Sequence, residues 1–216
     1  MQKFSCLKDA LNLCVGNENR VFHTEDPRNG IRKFLVAPGE EIFNAEYFFN
    51  YYSKLPARHF YEHLHVEKPC RLYFDLEYFL PLNPEFDIES FYSQFYSILD
   101  YLLKKLFDVK FDEKTYVVLD SSTPEKFSNH LIVHTDKLFP TNSDVGFLAQ
   151  VVAEYMRFKK VGLVRDSHRK DAMILDLGVY KSNQSLRLFL SSKYGKSSVL
   201  KLAGVSIDHA GTNFSQ

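Results

Sequence analysis

Apolar and polar residues alternate most sharply in LYFDLEYFL, residues 72–80. In an extended chain Leu72, Phe74, Leu76 and Tyr78 share one side, while Asp75 and Glu77 share the other. Further short runs rich in β-branched and aromatic residues predict strands at Arg20 to Thr24 and Arg32 to Ala37, joined by the turn-rich EDPRNG, and at Arg58 to His65. Tyr116 to Leu119, Phe127 to His134, Met173 to Leu175, Ser185 to Leu190 and Ser198 to Leu202 complete the expected strands. Helical spacing predicts four helices: Phe4 to Leu13, ended by Gly16 and Asn17; EEIFNAEYFFNYYSK after Pro38 and Gly39; Ile88 to Phe107 after the breakers Pro81 and Pro84; and Asn142 to Phe158.

Strands and helices in this order predict an α+β fold with helices packed on one sheet face. The expected division is a small N-terminal α/β module over 1–68, a second module over 69–205 that holds the acidic and basic motifs, and a tail over 206–216. No repeat or low-complexity segment interrupts it.

Composition changes the picture in two places. The 216 residues carry 27 basic and 27 acidic side chains, a net charge of zero that by itself points to no partner. Their placement does. No acid occurs from Leu177 to Ile207, where Lys181, Arg187, Lys193, Lys196 and Lys201 stand, and Arg157 to Lys170 holds six Lys and Arg against Asp166 alone. A chain polarised in this way suits a phosphate-bearing ligand held near acids; two solvated faces would read the same. The three cysteines form no CxxC pair, which points to buried thiols rather than a zinc module or a disulfide framework. No stretch nears the roughly 20 apolar residues of a membrane span, and the start lacks a secretory pattern. The expectation is an intracellular protein.

Asp75 and Glu77 side by side on a largely apolar strand repel one another and resist desolvation unless a cation or basic side chains answer them. KFSNHLIVH, residues 126–134, places Lys126, Ser128 and His130 on one face of a strand, a cation and two hydrogen-bonding groups suited to an anion such as a triphosphate. An edge strand with a polar face gives the same pattern. Asp176 closes an apolar strand two residues before Gly178. It is either a turn residue bonding locally or the third carboxylate of a cluster for hard divalent ions, which, paired about 3.5–4 Å apart, activate a hydroxyl and stabilise a leaving pyrophosphate. Arg187 and Lys193 would then hold phosphates. His59, His63 and His65 with Glu62 and Cys70 offer an H-x-H pair, yet no fourth zinc ligand stands at familiar spacing, and exposed strand histidines explain them.

Taken in order, CRLYFDLE (70–77), LDSSTPEKFSNHLI (119–132), DLGVY (176–180) and RLFLSSKYGK (187–196) resemble the catalytic core of the archaeo-eukaryotic primase (AEP) superfamily, and most closely its PrimPol group. IRKFLVA (31–37), FFNYYSK (48–54) and HFYE (59–62) extend the resemblance over most of the chain. It implies a small α/β module packed on an RRM-like module. It implies Asp75, Glu77 and Asp176 as catalytic metal ligands for Mg²⁺ or Mn²⁺, and Lys126, Ser128, His130, Arg187 and Lys193 as nucleotide-binding residues. Tyr61 matches a sugar-proximal aromatic and Arg32 a template-binding residue. The implied substrates are single-stranded or primer-template DNA and dNTP or NTP, with a helicase or single-strand-binding protein as a partner and no membrane. The implied setting is replication restart or damage tolerance, in the nucleus or mitochondrion of a eukaryote or at a viral replication site.

Two departures bear on activity. Ser182, Asn183 and Gln184 stand where the family often has a further arginine, so a phosphate or template contact is absent. The family's C-terminal Cys/His zinc module, implicated in starting primers, has no counterpart in these residues, so primer extension is expected rather than initiation, and the sequence suits a piece of a longer protein. The expected function is therefore a DNA primase/polymerase acting by two-metal phosphoryl transfer. The alternatives are a metal-dependent nuclease, which leaves Lys126, Arg187 and Lys193 without a clear purpose, and a non-catalytic RRM-like nucleic-acid-binding module, which leaves three mutually repelling acids unexplained.

Overall fold

The computed structural model describes residues 1–14, 20–37, 45–110, 116–134, 137–182 and 184–206. It is a mixed α+β protein with antiparallel sheets, and the chain divides into two compact units. The first takes 1–70, 140–143 and 180–201; the second takes 71–139, 144–179 and 202–216.

In the first unit a five-stranded sheet forms from β1 (Gln2–Phe4), β2 (Arg20–Glu25), β3 (Arg32–Ala37), β4 (Phe60–His63) and β10 (Ser185–Arg187), in the order β1-β3-β2-β4-β10. Alternation along β2 and β3 feeds two cores. Val21 and Val36 pack with Ala10 of helix α1 (Leu7–Asn12) and with Cys14 beyond its end, whereas Phe22 and Leu35 pack with Phe48 and Tyr52 of helix α2 (Ala45–Ser53) and with Phe60. Strands β2 and β3 thus feed a core on each face, because each of them carries apolar residues on both. The Arg58 side chain joins distant loops by donating to the carbonyls of Leu190, Ser53 and Leu55.

The start of the chain differs from the expected helix at Phe4. Gln2 to Phe4 pairs with Phe34 to Val36 as strand β1, and the helix begins only at Leu7. Three residues bonded across a sheet edge gain partners that an isolated short helix lacks. The expected helix at 40–54 is observed from Ala45; its earlier residues lie outside those described.

The second unit runs β5 (Leu72–Phe79), α3 (Ile88–Phe107), β6 (Tyr116–Asp120), β7 (Lys126–Val133), α4 (Asn142–Lys159) and the hairpin β8 (Leu163–Arg165) and β9 (Asp171–Met173), with β11 (Lys201–Ser206) joining the sheet later. Asn142 and Ser143, at the start of α4, are grouped with the first unit. Sheet order is β11-β6-β7-β5. Beyond β9 the chain bridges Leu175 to Leu76 on the outer edge of β5. Helix α3 is sharply bounded: the Asp87 side chain accepts from the backbone N–H groups of Glu89 and Ser90, and Asp108 adopts the left-handed conformation at the other end. Its inner face, Phe91, Phe95, Ile98, Leu99, Leu102 and Leu103, is buried, and Phe95 meets Phe74 of β5 edge-on with ring centroids 5.3 Å apart. The apolar face of β5 thereby lies under α3, and the face bearing Asp75 and Glu77 is the opposite one.

Candidate functional site

Antiparallel register sets the chemistry on the outer face. Asp75 lies opposite His130, Glu77 opposite Ser128, and Phe79 opposite Lys126. Directly opposed residues share a face, and so do residues two apart, so the acids of β5 meet Lys126, Ser128 and His130 of β7. Lys126 Nζ reaches diagonally to Glu77 Oε2 at 2.5 Å. His130 Nε2 stands 3.9 Å from Asp75 Oδ1, and these two side chains are only 13% and 14% exposed. The repulsion expected between the acids is therefore answered partly by the neighbouring strand. Ser128 is positioned by the loop before it: its N–H donates to Ser122 Oγ at 3.0 Å, and Ser121 Oγ donates to Ser128 Oγ at 3.3 Å.

Asp176 arrives at the other edge of β5. Its N–H donates to the Asp75 carbonyl at 2.9 Å, and Glu77 N–H donates to the Ile174 carbonyl at 2.8 Å, which brings Asp176 level with Asp75. Its Oδ1 also accepts from Gly178 N–H at 2.7 Å, the local bond expected of a turn residue before glycine. A Cβ on Gly178 would lie 2.9 Å from that oxygen, so glycine keeps room for the carboxylate. A hydrogen bond from the buried Tyr73 hydroxyl to the Val179 carbonyl, 2.9 Å, fastens the same turn to β5.

As a donor set, Asp75, Glu77 and Asp176 suit a hard divalent cation: three carboxylates on adjacent backbone edges, all of them partly exposed. One oxygen of Glu77 is engaged by Lys126 and one of Asp176 by Gly178, leaving the second oxygen of each as the available donor. Among the described residues no three His, Cys, Asp or Glu side chains are already gathered about one point.

Arg32, Tyr61, Arg187 and Lys193 belong to the first unit. Arg32, Tyr61 and Lys193 line one hollow of about 420 Å³, together with His23, Glu25 and Tyr194. Arg187 lies opposite Tyr61 in the sheet but is buried, its Nη1 donating to the Ser198 carbonyl at 3.0 Å. Two residues of this hollow escaped the sequence reading. Glu25 Oε2 accepts from both the Tyr61 hydroxyl (3.0 Å) and Tyr194 N–H (3.1 Å), while Glu25 Oε1 lies 3.5 Å from Arg32 Nε. His23, facing Tyr61 across the sheet, stacks on its ring at 4.4 Å and 8°. Burial, reinforced by Arg32, lowers the His23 pKa to about 4, and burial followed by the Glu25 charge raises that of Tyr61. Period-two spacing puts His23 and Glu25 on one face of β2, which was the available signal; their partners lie too far along the chain to be read locally.

The three histidines weighed as zinc ligands are engaged separately. His59 Nδ1 lies 3.0 Å from the Ser192 carbonyl, His63 Nδ1 3.4 Å from Ser185 Oγ, and His65 Nδ1 accepts from Glu67 N–H at 3.1 Å.

No family model matches the chain. Among curated proteins it is 34% identical over 128 residues to the DNA-directed primase/polymerase protein of Gallus gallus, covering 59% of this chain and 22% of that protein. Its human counterpart is 36% identical over 123 residues, covering 54% of this chain and 22% of the relative, and that of Danio rerio is 27% identical over 208 residues, covering 81% and 39%. The chain spans between about a fifth and two fifths of the length of these curated relatives. These matches extend over most of its own length, so the chain is similar to the DNA-directed primase/polymerase proteins.

Proposed function

We propose that this chain is the catalytic core of a template-directed nucleotidyltransferase that extends a primer along single-stranded or primer-template DNA using dNTP or NTP. The observation that carries the reading is the outer face of β5, where Asp75 and Glu77 stand between the basic row of β7 and Asp176 on the opposite edge. The order β5-α3-β6-β7-α4 followed by the 174–176 bridge beside β5 supports an RRM-like module.

In this reading a primer 3′-hydroxyl attacks the α-phosphorus of the bound nucleotide, and a new P–O bond forms as the bond to pyrophosphate breaks. Asp75, Glu77 and Asp176 would hold Mg²⁺ or Mn²⁺, which when bound lowers the pKa of the attacking hydroxyl and neutralises charge on the leaving group. Lys126, Ser128 and His130 orient the triphosphate by charge and hydrogen bonds, and the family resemblance alone assigns Arg187 and Lys193, in the other unit, to phosphates. Lys126, seated on Glu77, is held where it can exchange that carboxylate for a phosphate oxygen. Tyr61 stands at the sugar and Arg32 at the template.

The test is extension of a labelled primer on a defined template with Mg²⁺ and then Mn²⁺, comparing wild type with Asp75→Ala and Asp176→Ala. The expected outcome is templated extension by wild type and a loss of about 100-fold or more in each variant, the scale on which removing a transition-state stabiliser acts. Shortened primers without extension would mark a nuclease, and binding without either reaction would mark a non-catalytic module.

A further inference from the structure

The strongly basic stretch from Arg157 to Lys170 is not used by the reading above, and the structure gives it a definite form. Helix α4 ends at Lys159, and Lys160 holds a left-handed conformation with φ 58°. The chain then enters the β8–β9 hairpin, whose turn is organised from inside. Asp166 Oδ1 accepts from His168 N–H at 2.8 Å and from Lys170 N–H at 2.9 Å, and Arg169 takes the left-handed conformation with φ 58°. Asn83, after β5, clamps the hairpin in both directions, accepting from Arg165 N–H at 2.7 Å and donating to the Arg165 carbonyl at 3.0 Å. The one acid inside the turn is thus spent on backbone, and the cations are displayed on a fixed frame.

Lys160, Arg165, Arg169 and Lys170 are all exposed, and among the described residues none of them is in an ion pair. Lys160 and Arg169 stand where glycine would be easier, since the left-handed region costs other residues about 1 kcal/mol. Acids are near but do not cancel them: Glu154 is engaged with Arg157 at 3.7 Å, and Asp171 lies opposite Arg165 in the hairpin register. In the last turn of α4, Phe158 is 77% exposed, with Lys159 Nζ 5.6 Å from its ring centroid. An exposed ring in the same basic stretch as these cations matches a ligand with phosphates and unstacked bases, since a base stacks on a ring while the backbone follows a positive track. A duplex offers the phosphates but hides the base faces.

We propose that the end of α4 and the β8–β9 hairpin form a docking surface for single-stranded nucleic acid, with phosphates on Lys160, Arg165, Arg169 and Lys170 and a base on Phe158. None of these five residues is among those assigned to the reaction. The surface would anchor a strand without touching the reacting groups, and it does not depend on the nucleotidyltransferase reading.

The test measures anisotropy of a labelled 20-nucleotide single strand with the 216-residue chain, across a salt series, without nucleotide or divalent ion. In Arg165→Gln/Arg169→Gln/Lys170→Gln, affinity at 0.1 M salt falls about 10-fold or more, and the slope of log K against log salt drops by about 2, at about 0.7 per lost contact to a single strand. Phe158→Ala, an exposed position whose folding is checked by its melting temperature, weakens single-strand binding about 5-fold or more, leaves the slope unchanged and leaves binding to a blunt duplex unchanged. Wild-type affinity and slope in the triple variant would overturn the proposal. So would equal losses of single strand and duplex in Phe158→Ala, or loss of binding to phosphatidylserine vesicles with oligonucleotide binding intact.

Discussion

At the scale of single residues, the outer face of β5 sets Glu77 against the Lys126 ammonium and Asp75 beside the His130 ring on the next strand. Removing one of these partners exposes the cost. Lys126→Met leaves Glu77 beside Asp75 without its ammonium; with both partners about one-third exposed, the loss is about 1 kcal/mol in urea unfolding at low salt. Addition of Mg²⁺ restores more stability to this variant than to wild type. His23 makes a second prediction. Its folded pKa of about 4 lies below the ordinary 6.5, so the unfolded chain takes up that proton first as pH falls. The stabilisation from keeping His23 neutral is present above about pH 6.5 and is lost progressively towards pH 4, at most about 3 kcal/mol. His23→Phe keeps the ring against Tyr61 and cannot titrate, so between pH 7 and 4 its stability falls less than that of wild type. Asp75, Glu77, Lys126, Ser128 and His130 were legible because a strand's period of two is local. Glu25 was not: its meaning comes from Tyr61 and Tyr194, which the fold brings to it from 36 and 169 residues away.

At the scale of elements, helix α3 was read to its ends because its signals lie in the sequence, with Asp87 before the first turn and a long apolar stripe. Asp87→Ala removes the acceptor for two backbone N–H groups and costs about 1 kcal/mol, measured as a shift of the urea midpoint at constant slope. The β8–β9 hairpin was not read, because LVRDSHRKDAM is too charged and too short to show strand alternation. What makes it a hairpin is the Asp166 side chain and the clamp from Asn83, neither of which periodicity reports. β1 was misread for the opposite reason: MQKFSC has no strand signal until the edge of β3 supplies partners. The turn after Asp176 offers a test of the site at this scale. Gly178→Ala pushes a methyl against the Asp176 carboxylate, so primer extension falls while the melting temperature changes little.

At the scale of the molecule, the chain is shared between two units, returning to the first at 140–143 and again at 180–201. No local pattern announces such crossings, since they follow from which sheet edge is open when the strand arrives. The candidate residues divide accordingly, with the carboxylates and the row of β7 in one unit and Arg32, Tyr61, Arg187 and Lys193 in the other. The central claim rests on the acids of β5, whose crowding a folded protein keeps only where function uses it. Single-nucleotide extension of a labelled primer by Asp75→Asn, read beside its melting temperature, tests that claim most directly. Loss of extension by about 100-fold or more with an unchanged or higher melting temperature is the predicted result. Extension at the wild-type rate would contradict it.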